Sequence, residues 1–244
     1  MATERLDQTM VARGLAPSRA RAQALIGAEA VRVDGAIAAK ASLKVGEDAK
    51  IEVVGDPCPW VSRAGAKLAH AIEVFKVSPR AAVVADIGAS TGGFTEVCLS
   101  HAATRVYAVD VGRDQLHPTL QNAPQVIELS GRNAKALTSA DIPEPLDWIV
   151  TDVSFISLRK ALPAALQLAR KGAQLIALVK PQFEVGRERV GKGGVVKDPE
   201  AQAAAVADIE TFLTESDWAV KGTTESPILG GDGNREFLLY AVKR

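Results

Sequence analysis

The sequence predicts an α/β chain: an open, mostly parallel sheet of the Rossmann-like kind, closing on an antiparallel last strand and preceded by a small α+β unit. Three observations lead there. Apolar runs of strand length at 81–86, 105–110, 146–153 and 174–180 alternate with stretches of helical periodicity. The first of these runs ends in Asp86 and breaks into Gly88-Ala89-Ser90-Thr91-Gly92-Gly93-Phe94, a strand–turn–helix signature. Residues 1–56 carry a different pattern of short, basic elements.

Composition sets the bounds. The 244 residues leave room for one large domain or two smaller ones, and 47% hydrophobic content can build a core. No apolar run reaches the roughly 18 residues of a membrane span. The start, Met1-Ala2-Thr3-Glu4-Arg5, lacks the apolar segment of a secretory signal. Cys58 and Cys98 have no metal-ligand spacing and are too few for a disulfide scaffold. The expectation is a cytoplasmic protein with no membrane association and no metal. Net charge is zero, so any nucleic-acid partner must be met by a local patch.

In the first unit, Leu6, Met10 and Val11 make a short amphipathic helix closed by Gly14. Ser18 caps a second helix over 19–26, and Val31-Arg32-Val33 runs into an Asp34-Gly35 hairpin turn, with a partner strand at 50–54. Between Arg13 and Lys44 six bases face two acids, a local balance of +4. Arg5-Leu6-Asp7, Gly14-Leu15, Ser18-Arg19-Ala20-Arg21-Ala22 and Val31 to Gly35 together resemble the S4 RNA-binding module. That resemblance implies phosphate contacts from Arg5, Arg13, Arg19, Arg21, Arg32, Lys40 and Lys44, reading RNA shape more than sequence. Asp56-Pro57-Cys58-Pro59-Trp60 stops regular structure. The expected domains are 1–56 and 62–244, joined by a linker at 57–61.

The second unit opens with a helix capped by Ser62 and striped by Leu68, Ile72 and Phe75, with Arg63 and Lys67 four apart on another face. The glycines at 88, 92 and 93 do not fall as the G-x-G-x-x-G of dinucleotide sites. Asp86-Ile87-Gly88-Ala89-Ser90-Thr91-Gly92 instead resembles the D-x-G-x-(S/G)-x-G arrangement of S-adenosylmethionine (SAM) methyltransferases. This implies that Asp86, Gly88, Ala89, Ser90, Thr91, Gly92, Gly93 and Phe94 surround the cofactor. Asp110, with Val111 after it, ends the second strand about twenty residues on, where an acid accepts from ribose hydroxyls. A third strand at 124–129 leads to Asn133, a fourth ends at Asp152, a helix spans 158–171, and a fifth strand ends at Lys180. Asp152 and Lys180 thus reach the sheet edge where ligands of such folds bind. The polar stretch with Arg187, Arg189 and Lys192 is a surface loop. A helix follows from Pro199 to Leu213, then closing strands at 218–224 and 235–242 around a tight turn at 230–234.

Trp60-Val61-Ser62-Arg63-Ala64-Gly65-Ala66-Lys67-Leu68, Asp152-Val153-Ser154-Phe155-Ile156-Ser157-Leu158, Val179-Lys180-Pro181-Gln182-Phe183-Glu184 and Gly233-Asn234-Arg235-Glu236-Phe237 bring a closer likeness. With them the chain resembles the TlyA-type family, an S4 module joined to an FtsJ-like methyltransferase domain. The resemblance implies SAM-dependent methylation of a ribose 2′-hydroxyl in ribosomal RNA, cytidine in 16S and/or 23S rRNA, with ribosomal RNA or ribosomal subunits as partner; free RNA, subunit and whole ribosome stay open as the substrate. It also implies a Lys-Asp-Lys-Glu catalytic set at Lys67, Asp152, Lys180 and Glu236, with Asn133 at the cofactor and Arg63, Arg187, Arg189 and Lys192 toward RNA. A ribose hydroxyl is a poor nucleophile, so the transfer needs an activated, in-line oxygen. Two lysines brought together favour loss of one proton. Lys180 is expected as general base or hydroxyl polariser, Asp152 as its orienter, Glu236 as the charge balance and Lys67 as the phosphate or ribose holder. Two departures stand out: Ser130-Gly131-Arg132-Asn133 replaces a Glu-Arg-Thr-Asn-like run, and Gly231-Asp232 replaces a Gly-Pro. The rival readings are a membrane-active haemolysin, a name attached to this family, and a catalytically silent RNA-binding protein. The first would need spanning or strongly amphipathic stretches that this sequence does not offer.

Overall fold

The computed structural model describes residues 3–16, 18–27, 29–54, 59–230 and 232–244, without the side chains of residues 20, 24 and 187. Asp56, Pro57 and Cys58 of the expected boundary, Gly231 of the last turn and the Arg187 side chain lie outside the described residues. The chain divides into two units, Met1–Pro59 and Trp60–Arg244. Trp60 and Val61, placed in the linker by sequence, pack within the second unit. The Val61 N–H donates to the Glu96 carboxylate, and Trp60 lies against Gly65.

The first unit runs β1 (Thr3–Arg5), α1 (Leu6–Ala12), α2 (Arg19–Gly27), β2 (Val31–Val33), β3 (Ala36–Ile37), β4 (Lys44–Gly46) and β5 (Ile51–Val53). Ser18 Oγ accepts from Arg21 N as expected of a cap. Asp34 and Gly35 both have positive φ, 51° and 85°, the geometry of a two-residue hairpin turn matched to strand twist. β2 pairs antiparallel with β3 and β5, and β1 with β4. The β1–β4 pair is too short to show a period-2 pattern, so the sequence left it unread. Leu6, Met10, Leu25, Ile26, Val31 and Val45 close the core of this unit.

The second unit continues with α3 (Ala64–Phe75), β6 (Val83–Ile87), α4 (Gly93–Ser100), β7 (Arg105–Asp110), α5 (Pro118–Gln121), β8 (Val126–Ser130) and β9 (Leu146–Thr151). It then runs α6 (Leu158–Ala161), α7 (Pro163–Leu168), β10 (Ala169–Val179), α8 (Pro181–Glu184), α9 (Pro199–Glu215), β11 (Trp218–Glu225) and β12 (Phe237–Lys243). Among the described residues the sheet has the order β11-β12-β10-β9-β6-β7-β8. β6 to β10 are parallel, and β12 is antiparallel to both β10 and β11. Leu68, Ile72, Phe94, Val97 and Cys98 from α3 and α4 cover one face, while Leu158, Leu162, Ile209 and Leu213 cover the other. Cys98 is therefore a core residue, its thiol pushed well up by burial.

The expected helix over 158–171 is two short helices ending at Leu168, and the strand begins at Ala169. Pro163 has no N–H to continue the first helix and opens the second. The strand order reverses between β6 and β9. Ligands of open α/β sheets bind outside the carboxyl ends of strands at such a switch point. There the chain places Gly88 and Asp152.

Candidate active site

The loop after β6 is shaped by its own packing. Gly88 has φ +84°, and a Cβ there would come within 2.9 Å of Val153 Cγ1 and 3.1 Å of Val153 Cα. Only glycine lets the β6 and β9 exits approach so closely. Four of the loop's N–H groups turn inward: Gly88 and Ala89 donate to Val109 O, Ser90 to Asp110 Oδ2 at 2.8 Å, and Gly92 to Ala89 O. A phosphate cradle needs such groups pointing outward. This loop suits a ligand with no pyrophosphate.

Beside the loop lies a cleft of about 300 Å³. Gly88, Ala89, Ser90, Thr91 and Phe94 line one wall, and Arg63, Lys67, Asp152, Ser154 and Lys180 supply its charge and polarity. Asp86, Gly92 and Gly93 lie behind that wall. Asp86 is fully buried, accepts from Thr95 Oγ1 at 2.7 Å through Oδ2, and leaves Oδ1 without a partner among the described residues. Burial, and to a smaller degree the nearby Asp152 and Asp110 charges, raise its carboxyl to about 7. Asp110 and, above its raised value, Asp86 put negative charge behind the loop, whereas Asp152 is matched by Lys180 and the cleft itself carries Arg63 and Lys67.

Four residues spread from 67 to 236 meet at this cleft as two ion pairs. Lys67 Nζ on α3 donates to Glu236 Oε2 at 2.6 Å. Lys180 Nζ, just past β10, lies 2.6 Å from Asp152 Oδ1, just past β9, and donates to Ser154 Oγ at 2.7 Å. Lys67, Lys180 and Glu236 expose only 8%, 7% and 3% of their surface. The lysines do not simply crowd one another, as the sequence suggested; each is matched by its own acid. Nor does Lys67 project into water, whereas Arg63, four residues earlier, is exposed at the cleft rim.

Four further residues were not singled out from sequence. Ser154 accepts from Lys180. Glu184 accepts from Ser157 Oγ at 2.6 Å and Leu158 N at 2.9 Å, joining the segment after Lys180 to the segment after Asp152. Asn234 is buried and ties two loops, accepting from Val196 N and donating to Gly194 O, both at 2.9 Å. Phe155 has φ 65° and is 90% exposed, with its ring centroid 5.3 Å from that of Phe183. A bulky aromatic in the left-handed region and facing solvent is costly without a ligand to meet.

The remaining expected residues divide. Asp110 ends β7 with both oxygens accepting N–H groups, and Val111 is exposed beside it. Asn133 is exposed, and its Oδ1 caps the short helix 134–136 by accepting from Lys135 N. In the first unit Arg5 and Arg19 both bind the buried Asp7, and Arg13 is spent on the carbonyls of Gly46, Glu47 and Ala49. Arg32 donates to Gly35 O, and Lys40 and Lys44 are exposed, as are Arg189 and Lys192 in the second unit. Arg21 is half-buried.

Comparison with known proteins gives the family. The FtsJ-like methyltransferase family matches residues 60–243, and the S4 domain matches residues 4–51. A Mycobacterium tuberculosis (strain ATCC 25618 / H37Rv) protein, 16S/23S rRNA (cytidine-2′-O)-methyltransferase TlyA, is 44% identical over 237 residues, covering 97% of this chain and 88% of the relative. The chain belongs to the TlyA-type family of S4-plus-FtsJ-like methyltransferases. A solved structure of a Streptococcus thermophilus protein named as a hemolysin covers 100% of this chain and 89% of its own, with TM-score 0.79 and 37% identity. Magnesium protoporphyrin IX methyltransferase from Synechocystis PCC 6803, solved with bound SAH, shares the fold at TM-score 0.52 and 13% identity over 75% of this chain and 83% of its own. Lys67, Asp152, Lys180 and Glu236, expected from the resemblance as a catalytic set, form the two ion pairs at the cleft. No helix among the described residues is long and apolar enough to cross a membrane.

Proposed function

We propose that this TlyA-type chain methylates the ribose 2′-hydroxyl of a cytidine in ribosomal RNA, using SAM, in the cytoplasm. The observation that carries the reading is the meeting of Lys67–Glu236 and Lys180–Asp152 beside the Gly88–Thr91 loop. Family membership and the name of the M. tuberculosis relative support the substrate.

SAM, when bound, would supply an electrophilic methyl group whose bond to sulfur breaks in the transfer, leaving S-adenosylhomocysteine. Its fit rests on the donor set: the inward-turned N–H groups of the loop, the unpartnered Asp86 Oδ1 behind it, and the Asp110 carboxylate at the end of β7. Lys180 Nζ, held between Asp152 and Ser154, polarises the ribose hydroxyl and directs its oxygen in line. The Lys180–Asp152 pair takes up the hydroxyl proton as the new O–C bond forms. Lys67, fixed by Glu236, holds the ribose or adjoining phosphate from the other side, and Arg63 adds a guanidinium at the rim. Phe155 and Phe183 offer an aromatic surface on which an unstacked base can lie, as RNA recognition of extruded nucleotides requires. The first unit brings the RNA, through Lys40, Lys44 and Arg32 and through the Asp7-bound Arg5 and Arg19.

The test is transfer of labelled methyl from SAM to isolated 30S and 50S subunits, followed by mapping of the methylated ribose. Wild-type protein labels a cytidine 2′-O, and Lys180→Ala abolishes labelling while still binding SAM by calorimetry. Full labelling by Lys180→Ala would remove that lysine from the mechanism. Absence of SAM binding by wild type would instead favour an RNA-binding protein without catalysis.

A further inference from the structure

Asp110, the acid expected at the cofactor ribose, is already committed. Its Oδ2 accepts from Ser90 N at 2.8 Å and its Oδ1 from Gly112 N at 2.7 Å. Each oxygen keeps one more acceptor site, in a direction fixed by the loop it holds. A second carboxylate stands on the neighbouring strand. In the β7–β8 register Ala108 faces Glu128, and Asp110 faces Ser130. Partners in a parallel pair, and residues two apart along a strand, share one face of a sheet. On that face a small recess has Ala89, Ala108 and Leu116 as apolar walls and Asp110, Glu128 and Ser130 on its rim.

Glu128 begins two residues, about 6.6 Å, short of the strand end. Ser130 Oγ nevertheless donates to Glu128 Oε1 at 2.8 Å. The carboxylate has therefore climbed to the level of residue 130, opposite Asp110. Oε2 makes no hydrogen bond or ion pair among the described residues.

We propose that Glu128 is a cofactor-binding residue whose Oε2 accepts a ribose hydroxyl of SAM, with Ser130 holding the carboxylate upright. This deepens the SAM reading above and rests on it. The recess, of about 10 Å³, is too small to seat a base, so a ligand meets only its rim, where the Asp110 and Glu128 carboxylates suit the hydroxyl donors of a sugar. Ser130 itself brings no charge; with Glu128 it forms a two-residue substitute for a carboxylate at position 130.

Calorimetric binding of S-adenosylhomocysteine to the full chain tests this without any turnover. Glu128→Ala should weaken binding by roughly tenfold to a hundredfold, the range of a hydrogen bond to a charged group. Glu128→Gln, which keeps the shape and one carbonyl acceptor, should lose less and decides the matter if the alanine variant fails to fold. An analogue lacking the ribose hydroxyls should bind wild type and Glu128→Ala equally. Adding Ser130→Glu to Glu128→Ala should recover most of the affinity. Wild-type affinity in both Glu128 variants overturns the assignment, as does an equal loss on the analogue without hydroxyls. Failure of wild type to bind S-adenosylhomocysteine at all sinks the SAM reading beneath it, a separate outcome.

Discussion

Lys67 Nζ and Glu236 Oε2 stand 2.6 Å apart across 169 residues of sequence, both nearly excluded from water. Removing one member of such a pair strands a charge in a dry site, at a cost of roughly 3–5 kcal/mol. Replacing both by apolar groups removes that penalty. Lys67→Met should therefore lower the urea midpoint sharply, and Lys67→Met/Glu236→Leu should recover much of it. Neither variant should transfer methyl groups. Recovery of transfer in the double variant would make the pair structural only, while additive losses of stability would mean the two charges do not interact.

Asp86 gives the fold a pH dependence. Its folded carboxyl titrates at about 7 against an ordinary value of 3.8. Between those values the folded state holds a proton that the unfolded state has released, so stability falls as pH rises. The contribution is complete below the lower value and gone above the upper one, an upper bound of roughly 4 kcal/mol. Asp86→Asn cannot ionise. The melting temperature of the ligand-free variant relative to wild type should rise between pH 5 and pH 8, and a constant difference would mean Asp86 is not the titrating group.

Much of this site was legible because charge and glycine are rare inside a sheet. Asp86, Asp110, Asp152 and Lys180 each interrupt an apolar run at a strand end, so one-dimensional order already placed them at one edge. Lys67 lies in a helix, marked locally only by its i, i+4 spacing to Arg63, and Glu236 follows a turn where nothing local marks it; the family resemblance alone gave them a catalytic role. Ser154 and Glu184 were missed because their roles consist of partners 26 and 27 residues away. The stretch over 158–171 misled for a local reason, since an alanine- and leucine-rich run reads as one helix until Pro163 is weighed. The arginines of the first unit show the opposite limit. Their basic pattern was visible, but not that Arg13 is bound to backbone carbonyls or that Asp7 gathers Arg5 and Arg19.

The start of α3 depends on a missing side chain. A Cβ on Gly65 would fall 2.4 Å from Trp60 Cγ and 2.5 Å from Trp60 Cβ. Gly65→Ala gains helix propensity of up to about 1 kcal/mol, but it must move the indole, and overpacking costs roughly 1–3 kcal/mol. Net destabilisation with a shift in tryptophan emission is expected. Because Arg63 and Lys67 flank this position, RNA methylation should fall further than stability alone explains. A stabilised Gly65→Ala protein would show that Trp60 relocates freely.

Glu184 holds together the two segments that carry Lys180 and Asp152. Its carboxylate accepts from Ser157 Oγ and Leu158 N, so α8, which bears Phe183, is fastened to the segment bearing Phe155. Burial, first among the causes, raises its carboxyl above the ordinary value, and the two donors work against that rise. Glu184→Ala should cost about 1–2 kcal/mol, as loss of a helix cap does. It should also raise KM for RNA several-fold, because the aromatic pair loses its spacing, while affinity for S-adenosylhomocysteine stays at the wild-type value. Glu184→Gln retains an acceptor for Leu158 N and should fall between. An unchanged KM for RNA alongside the lost stability would confine Glu184 to capping α6.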